Sequence, residues 1–220
     1  MKLVRMFGVT AMLALTAMAF IGASSASAEV LKAVFCKKDV TLCAKADLWG
    51  TDLTVKAHSS EAVLLGSLPV TCESDVTVLT GKESAHDIEA TTTSLTWSNC
   101  KGCTTVTTTK LPKLLILTGP TPLSGTMDIV SEAVVSLKGC TIFNISCTAT
   151  VSSGSLGLTG GAIGSTATTS ASEVKVGLSG GLCGTEGKWD AGSSGSKPYV
   201  IGEVSGAKTG DIFLSEKSHA

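Results

Sequence analysis

The chain has 220 residues, 17 Lys+Arg against 18 Asp+Glu, and a formal net charge of −1, with 43% of its residues hydrophobic. Its one arginine is Arg5, close to the N-terminus, so the planar guanidinium forks and the basic surface that phosphate recognition needs are missing and nucleic acid is not expected as a partner. The apolar content also excludes a compositionally disordered chain.

Lys2 and Arg5 precede an apolar run over residues 6–21, which ends in Ala23-Ser24-Ser25-Ala26-Ser27-Ala28. A basic start, an apolar stretch and small residues at a cleavage position define a secretory signal, expected over residues 1–28. The run is shorter than the roughly 20 residues that cross a bilayer, and no later run is long and apolar enough, so no membrane span is expected. Residues 29–220 then carry 15 basic against 18 acidic side chains, and their length fits one domain with a sizeable core.

All eight cysteines, Cys36, Cys43, Cys72, Cys100, Cys103, Cys140, Cys147 and Cys183, follow the cleavage point. An even count in an exported chain predicts four disulfides. Sequence leaves on the order of a hundred connectivities open. The short spacings favour Cys36–Cys43 and Cys140–Cys147 as local clips, each worth about 2 to 3 kcal/mol in the chain-entropy model. Cys72–Cys100 and Cys103–Cys183 are then the favoured remaining pairs.

Residues 51–57 alternate, with Leu53, Val55 and Ala57 on one side and Asp52, Thr54 and Lys56 on the other, which predicts a half-buried strand. From Val70, the positions Val70, Cys72, Ser74, Val76 and Val78 share one face, which turns Cys72 toward the core. Residues 88–97 are rich in Thr, whose branched β-carbon favours strands. Cys100-Lys101-Gly102-Cys103 is a compact turn, and Pro112 interrupts the extended run over residues 106–117.

Gly119-Pro120-Thr121-Pro122 reads as a loop. Residues 131–137 suit helix or strand and are read as strand, ended by Gly139 and the second clip. Residues 151–172, mostly Gly, Ser and Thr, predict only weak, surface-lying strands or a loop. Val174, Val176 and Leu178 then share one face of a strand, and residues 198–204 form a last core strand, with a short addition at 211–214. No sustained helical period with capping residues occurs. The expected class is therefore all-β, a single disulfide-braced β-sandwich, with a closed β-barrel as the alternative.

The runs Pro69-Val70-Thr71-Cys72-Glu73, Leu95-Thr96-Trp97 with Cys100, Leu111-Pro112, Gly181-Leu182-Cys183 with Lys188-Trp189, and Lys197-Pro198-Tyr199-Val200 resemble recurring segments of a group of secreted β proteins from soil actinobacteria. The resemblance covers most of residues 29–200. It implies an exported, disulfide-linked β domain over 29–200 and a C-terminal extension over 201–220. It carries no catalytic residues.

Several constellations invite chemistry. Cys100 and Cys103 have the C-x-x-C spacing of a redox pair, but no helix follows to lower a thiol pKa, so a structural role is expected. Gly177-Leu178-Ser179-Gly180-Gly181 matches G-x-S-x-G, with Asp190 and His219 following in hydrolase order, yet lacks the strand-to-helix context of a nucleophile elbow. Glu73 and Asp75 lie about 7 Å apart on one strand face, where a solvated surface is the simpler reading than an inverting glycosidase pair. His86-Asp87 with Glu89, and His58 with Glu61, lack a third ligand, so no metal and no cofactor are expected.

Trp97 is expected in the core, whereas Trp49 and Trp189 are candidates for a sugar-stacking platform. The sequon Asn144-Ile145-Ser146 lies between two cysteines and is discounted. Together these features predict a secreted, non-enzymatic binding or envelope-associated structural protein whose partner is an unidentified extracellular or cell-envelope ligand. The alternatives are a secreted hydrolase using Glu73, Asp75, His86, Asp87 or Ser179, and an exported protease inhibitor presenting residues 37–42.

Overall fold

A computed structural model describes residues 31–38, 40–50, 52–67, 69–83, 87–118, 124–141, 143–159, 166–169, 174–192, 196–204 and 213–218. The expected leader, the loop at 119–122, His86 and His219 lie outside the described residues. The chain is all-β, as its alternating, Thr- and Val-rich runs predict. Among the described residues the one helical element is a 3-10 turn at Lys45–Asp47.

After β1 (Leu31–Cys36), the strands β2 (Thr54–Leu65), β3 (Val70–Glu83) and β4 (Asp87–Lys101) form a long meander. β5 (Cys103–Lys110) and β6 (Lys113–Thr118) are parted by Leu111 and Pro112, as the proline predicts. β7 (Ser124–Ile129), β8 (Ala133–Cys140), β9 (Ile145–Val151) and β10 (Gly154–Thr159) follow. β11 (Thr166–Thr169), β12 (Lys175–Ser179), β13 (Glu186–Asp190), β14 (Tyr199–Val204) and β15 (Phe213–Ser218) complete the described strands.

Thirteen strands form one sheet in the order β14-β11-β10-β7-β6-β4-β3-β2-β13-β12-β9-β8-β5. β14 also pairs with β2, so the ladder from β2 through β3, β4, β6, β7, β10, β11 and β14 closes into a circuit. A bulge in β2 makes this closure compatible with continuation of the sheet. The register shifts between Ser59 and Ala62, so Val55 and Ala57 before it and Ala62 and Leu64 after it all line one interior.

The first half of β2 pairs with β14, and residues 63–65 pair with β13. Where β2 passes from one partner to the other, Ser59 Oγ donates to the Lys197 carbonyl at 2.7 Å and Lys197 N donates to the Glu61 carbonyl at 2.8 Å. Beyond β13 the sheet runs to β5 and curls back toward β4, where Trp97 Nε1 donates to Thr108 Oγ1 at 2.8 Å. The layered and closed architectures expected from the sequence thus meet in one curled sheet whose walls face each other across an apolar interior.

The alternation in β3 holds: Val70, Cys72, Ser74 and Val78 are buried. The stretch expected to be surface-lying instead contributes to the core, because Leu156 and Leu158 fall on one face of β10. Leu156 is 1% exposed, and β10 is paired on both sides, with β7 and β11. The glycines at 154 and 157 dilute the composition without disturbing the period of two.

β1 and β15 form a separate two-stranded sheet, paired from Leu31↔Ser218 to Cys36↔Phe213. One side sends Ala33 and Leu214 into the main core. The other packs Val34, Cys36 and Phe213 with Cys43. Residue 200 falls within β14, and residues 201–220 supply the rest of that strand and all of β15. Residues 31–220 form one compact unit.

Four disulfides are present. Cys36–Cys43 and Cys72–Cys100 pair as expected. The other two correct the sequence reading: Cys103 bonds Cys140 and Cys147 bonds Cys183, in place of Cys103–Cys183 and the clip Cys140–Cys147. Strand register overrides loop length here. Cys103 and Cys140 are directly opposite in the β5–β8 ladder, with Cα atoms 3.9 Å apart, whereas Cys147 lies opposite Leu137 and not opposite Cys140.

Three of the bridges lace the turns at one end of the sheet. There Thr141 N donates to the Gly102 carbonyl at 3.0 Å, and Ser67 Oγ donates to the Cys183 carbonyl at 2.6 Å. Gly102 sits at φ +95, where a Cβ would also collide with the Pro69 carbonyl, so this crossing requires glycine.

Candidate functional site: an apolar interior cavity

The inward faces do not meet completely. They leave between them a cavity of about 170 Å³ lined from both walls of the curled sheet. Val76 and Val78 on β3, Leu114 on β6, Met127 on β7 and Val135 on β8 belong to this lining, with Phe35 of the small sheet. Among the described residues, none of those lining the cavity is charged.

Polar side chains enter at a few places. Tyr199 is 4% exposed, and its hydroxyl donates to Ser74 Oγ at 2.7 Å. Burial holds its phenol well above the usual range; the Ser74 hydrogen bond acts in the opposite direction and the Asp75 charge adds to the rise. The ring meets Trp189 edge-on, with centroids 6.0 Å apart. Thr80 Oγ1 accepts a hydrogen bond from Leu53 N at 2.9 Å. Thr92 Oγ1 and Trp189 Nε1 are buried without a hydrogen-bond partner.

Trp49 and Trp189, the candidates for a sugar platform, are half-buried, as is Trp97. Trp97 packs against the core, as expected, and lines the cavity. Trp189 lies opposite Leu64 and faces the same interior. Trp49 packs beside Leu53 and Val204, with Lys37 Nζ 5.5 Å from its ring centroid.

Among the described residues, the candidate hydrolase side chains do not converge. Ser179 is exposed at the end of β12, and Gly180 and Gly181, both at positive φ, lead into a turn and not a helix. Asp190 is 1% exposed at the far end of β13; the β12–β13 register, with Gly177 opposite Glu186, puts it about 20 Å from Ser179 by strand rise. Asp75 forms a cross-strand pair with His58 Nδ1 at 2.9 Å, so His58 is engaged there and not with Glu61. Glu73 is half-buried on the same strand, and Asp87 and Glu89 pair opposite Leu117 and Leu115 on β4. Among the described residues no three His, Cys, Asp or Glu side chains group to hold a metal ion.

Cys100 and Cys103 each bond a different partner, so C-x-x-C serves as the turn between two bridged strands. Within the segment 37–42, the Val40 carbonyl accepts a hydrogen bond from Ser215 Oγ and Lys38 pairs with Asp47 at 3.0 Å. Asn144 is exposed in the β8–β9 turn at φ +53. The cavity itself escaped the sequence reading, although small inward residues such as Ala57 and Ala149 signalled missing volume. Compared with protein-family models, with curated proteins and with solved structures, the chain matches none.

Proposed function

We propose that this is a secreted, non-enzymatic binding protein that takes a small apolar ligand into the interior of its curled sheet. The cavity of about 170 Å³ with its apolar lining carries this reading. Its volume is comparable to the roughly 150 Å³ apolar cavities that stay dry and admit benzene. Four disulfides support an oxidising, extracellular setting. Titration of the oxidised protein with benzene and cyclohexane, followed by thermal unfolding and tryptophan fluorescence, tests the proposal. Saturable stabilisation is expected; no shift up to the solubility limit of both compounds would end it.

Attachment to the cell envelope is a second reading, favoured by Phe143 and Leu182, each 72% exposed. They occupy the β8–β9 and β12–β13 turns, which the Cys147–Cys183 bridge holds side by side. Retention of the oxidised protein on isolated envelope, lost in F143S/L182S, is the expected result. Equal retention of the double variant would sink it.

A further inference from the structure

The end of the sheet laced by Cys72–Cys100, Cys103–Cys140 and Cys147–Cys183 gathers the turns at 66–69, 102, 141–144 and 180–185. None of these turn residues is charged, although turns normally draw on polar side chains. Two of the turns are built alike. Asn144 N donates to the Thr141 carbonyl at 3.4 Å and Cys183 N to the Gly180 carbonyl at 3.0 Å, and the third residue of each is large and apolar: Phe143 in one, Leu182 in the other. Both are 72% exposed, more than any other large hydrophobic among the described residues.

The two apexes are fixed relative to each other. β9 and β12 pair up to Thr148↔Ser179, the Cys147–Cys183 bridge ties the strand that follows one turn to the other turn, and Gly180 lies so close to the Ser146 carbonyl that a Cβ would come within 2.7 Å of it. Thr141 N bonding the Gly102 carbonyl and Ser67 Oγ bonding the Cys183 carbonyl join the neighbouring turns to them. The charged side chain adjoining this apolar end is Lys101, exposed at the last position of β4. Lys138 on β8 and Glu186 on β13 lie further down the strands and are of opposite sign.

We infer that this end is a lipid-contacting tip, in which Phe143 and Leu182 enter the headgroup–acyl boundary of an anionic membrane surface while Lys101 meets the lipid phosphates. The inference rests on the reading of envelope attachment and names lipid as its partner. A protein or glycan partner needs a surface shaped to it with hydrogen-bonding groups around the rim, and the tryptophans that would stack on a sugar are half-buried. A fluid lipid boundary takes projecting apolar side chains without a matching shape. An uncharged tip enters it without burying charge, and braced turns lose little freedom in doing so. Lys101 adds attraction to an anionic leaflet. Two apolar side chains and one lysine amount to reversible binding, not a permanent anchor.

The test measures partition of the purified oxidised protein onto vesicles of phosphatidylcholine alone and of phosphatidylcholine mixed with phosphatidylglycerol. Binding is expected to be about fivefold stronger on the anionic vesicles, a preference lost in Lys101→Gln, and to fall by about tenfold or more in F143S/L182S. The emission of Phe143→Trp should shift to the blue on adding anionic vesicles and be quenched by lipids brominated on their acyl chains. No binding of the native protein to either vesicle, equal binding of the double variant, or an unshifted Phe143→Trp emission overturns the inference. Retention on isolated envelope without binding to vesicles of that envelope's own lipids overturns the lipid assignment alone, leaving a wall polymer or a protein as the partner. Retention on neither overturns the envelope reading and this inference with it.

Discussion

The chain contains a single tyrosine, so tyrosinate absorbance reports Tyr199 alone, and alkaline titration becomes a direct probe of the interior. The phenol is buried and paired with Ser74, itself 0% exposed, and burial is the main reason its pKa lies well above the ordinary value of 10.0. Unfolding returns it to that ordinary value. Above pH 10 the unfolded chain therefore releases a proton that the folded chain keeps, and stability falls as pH rises, by about 1.4 kcal/mol per pH unit for this group. Below that pH both states hold the proton and the contribution is fully present. Urea unfolding at pH 9, 10, 11 and 12, for the native sequence and for Tyr199→Phe, isolates the effect from lysine titration. The native protein should lose about 2 to 3 kcal/mol more than the variant across the upper two units. Tyrosinate absorbance should appear only with the loss of tertiary structure. A folded protein whose tyrosinate signal titrates near pH 10 would refute the burial argument and the enclosed position of Tyr199 with it.

The disulfide pattern makes an equally direct prediction. C103A/C140A removes one bridge across a separation of 37 residues, costs about 4 kcal/mol in the chain-entropy model, and leaves no thiol to alkylate. C140A/C147A strands Cys103 and Cys183, so mass spectrometry after alkylation without reductant should count two free thiols; a count of zero would restore the sequence-based pairing. Leu156→Ala, at a wholly buried position, should cost about 3 kcal/mol, whereas Leu182→Ser, at a position 72% exposed, should change the unfolding free energy from urea titration by no more than about 0.5 kcal/mol. Ala149→Leu introduces a larger side chain at a cavity-lining position and should abolish cyclohexane binding while the protein still unfolds cooperatively; unchanged affinity would place the ligand elsewhere.

Much of the fold was legible because alternation is a local property. Val70, Cys72, Ser74 and Val78 turn inward as their spacing requires, and Pro112 separates β5 from β6 because it has no amide to give a ladder. Pairing between distant strands is not local. Cys140 meets Cys103 and not Cys147 because β8 is flanked by both β5 and β9 and only the first register sets two cysteines opposite. Likewise β15 completes the small sheet by pairing with β1 from the other end of the chain, and nothing near residue 213 announces that partner.

The cavity was hidden for a related reason. A period of two tells which side of a strand faces inward, not how far the opposite wall stands. That distance depends on which residues meet across the interior, and here the lining includes Ala57, Ala62, Ala133 and Ala149 among larger neighbours. An alanine opposite a leucine leaves space that only a shift of backbone could close. The β2 bulge, the closing β2–β14 ladder and three disulfides oppose such a shift. Interiors normally collapse to close packing, so a hollow persists where hydrogen-bonded closure and covalent bracing together cost more to distort than the missing contacts would return.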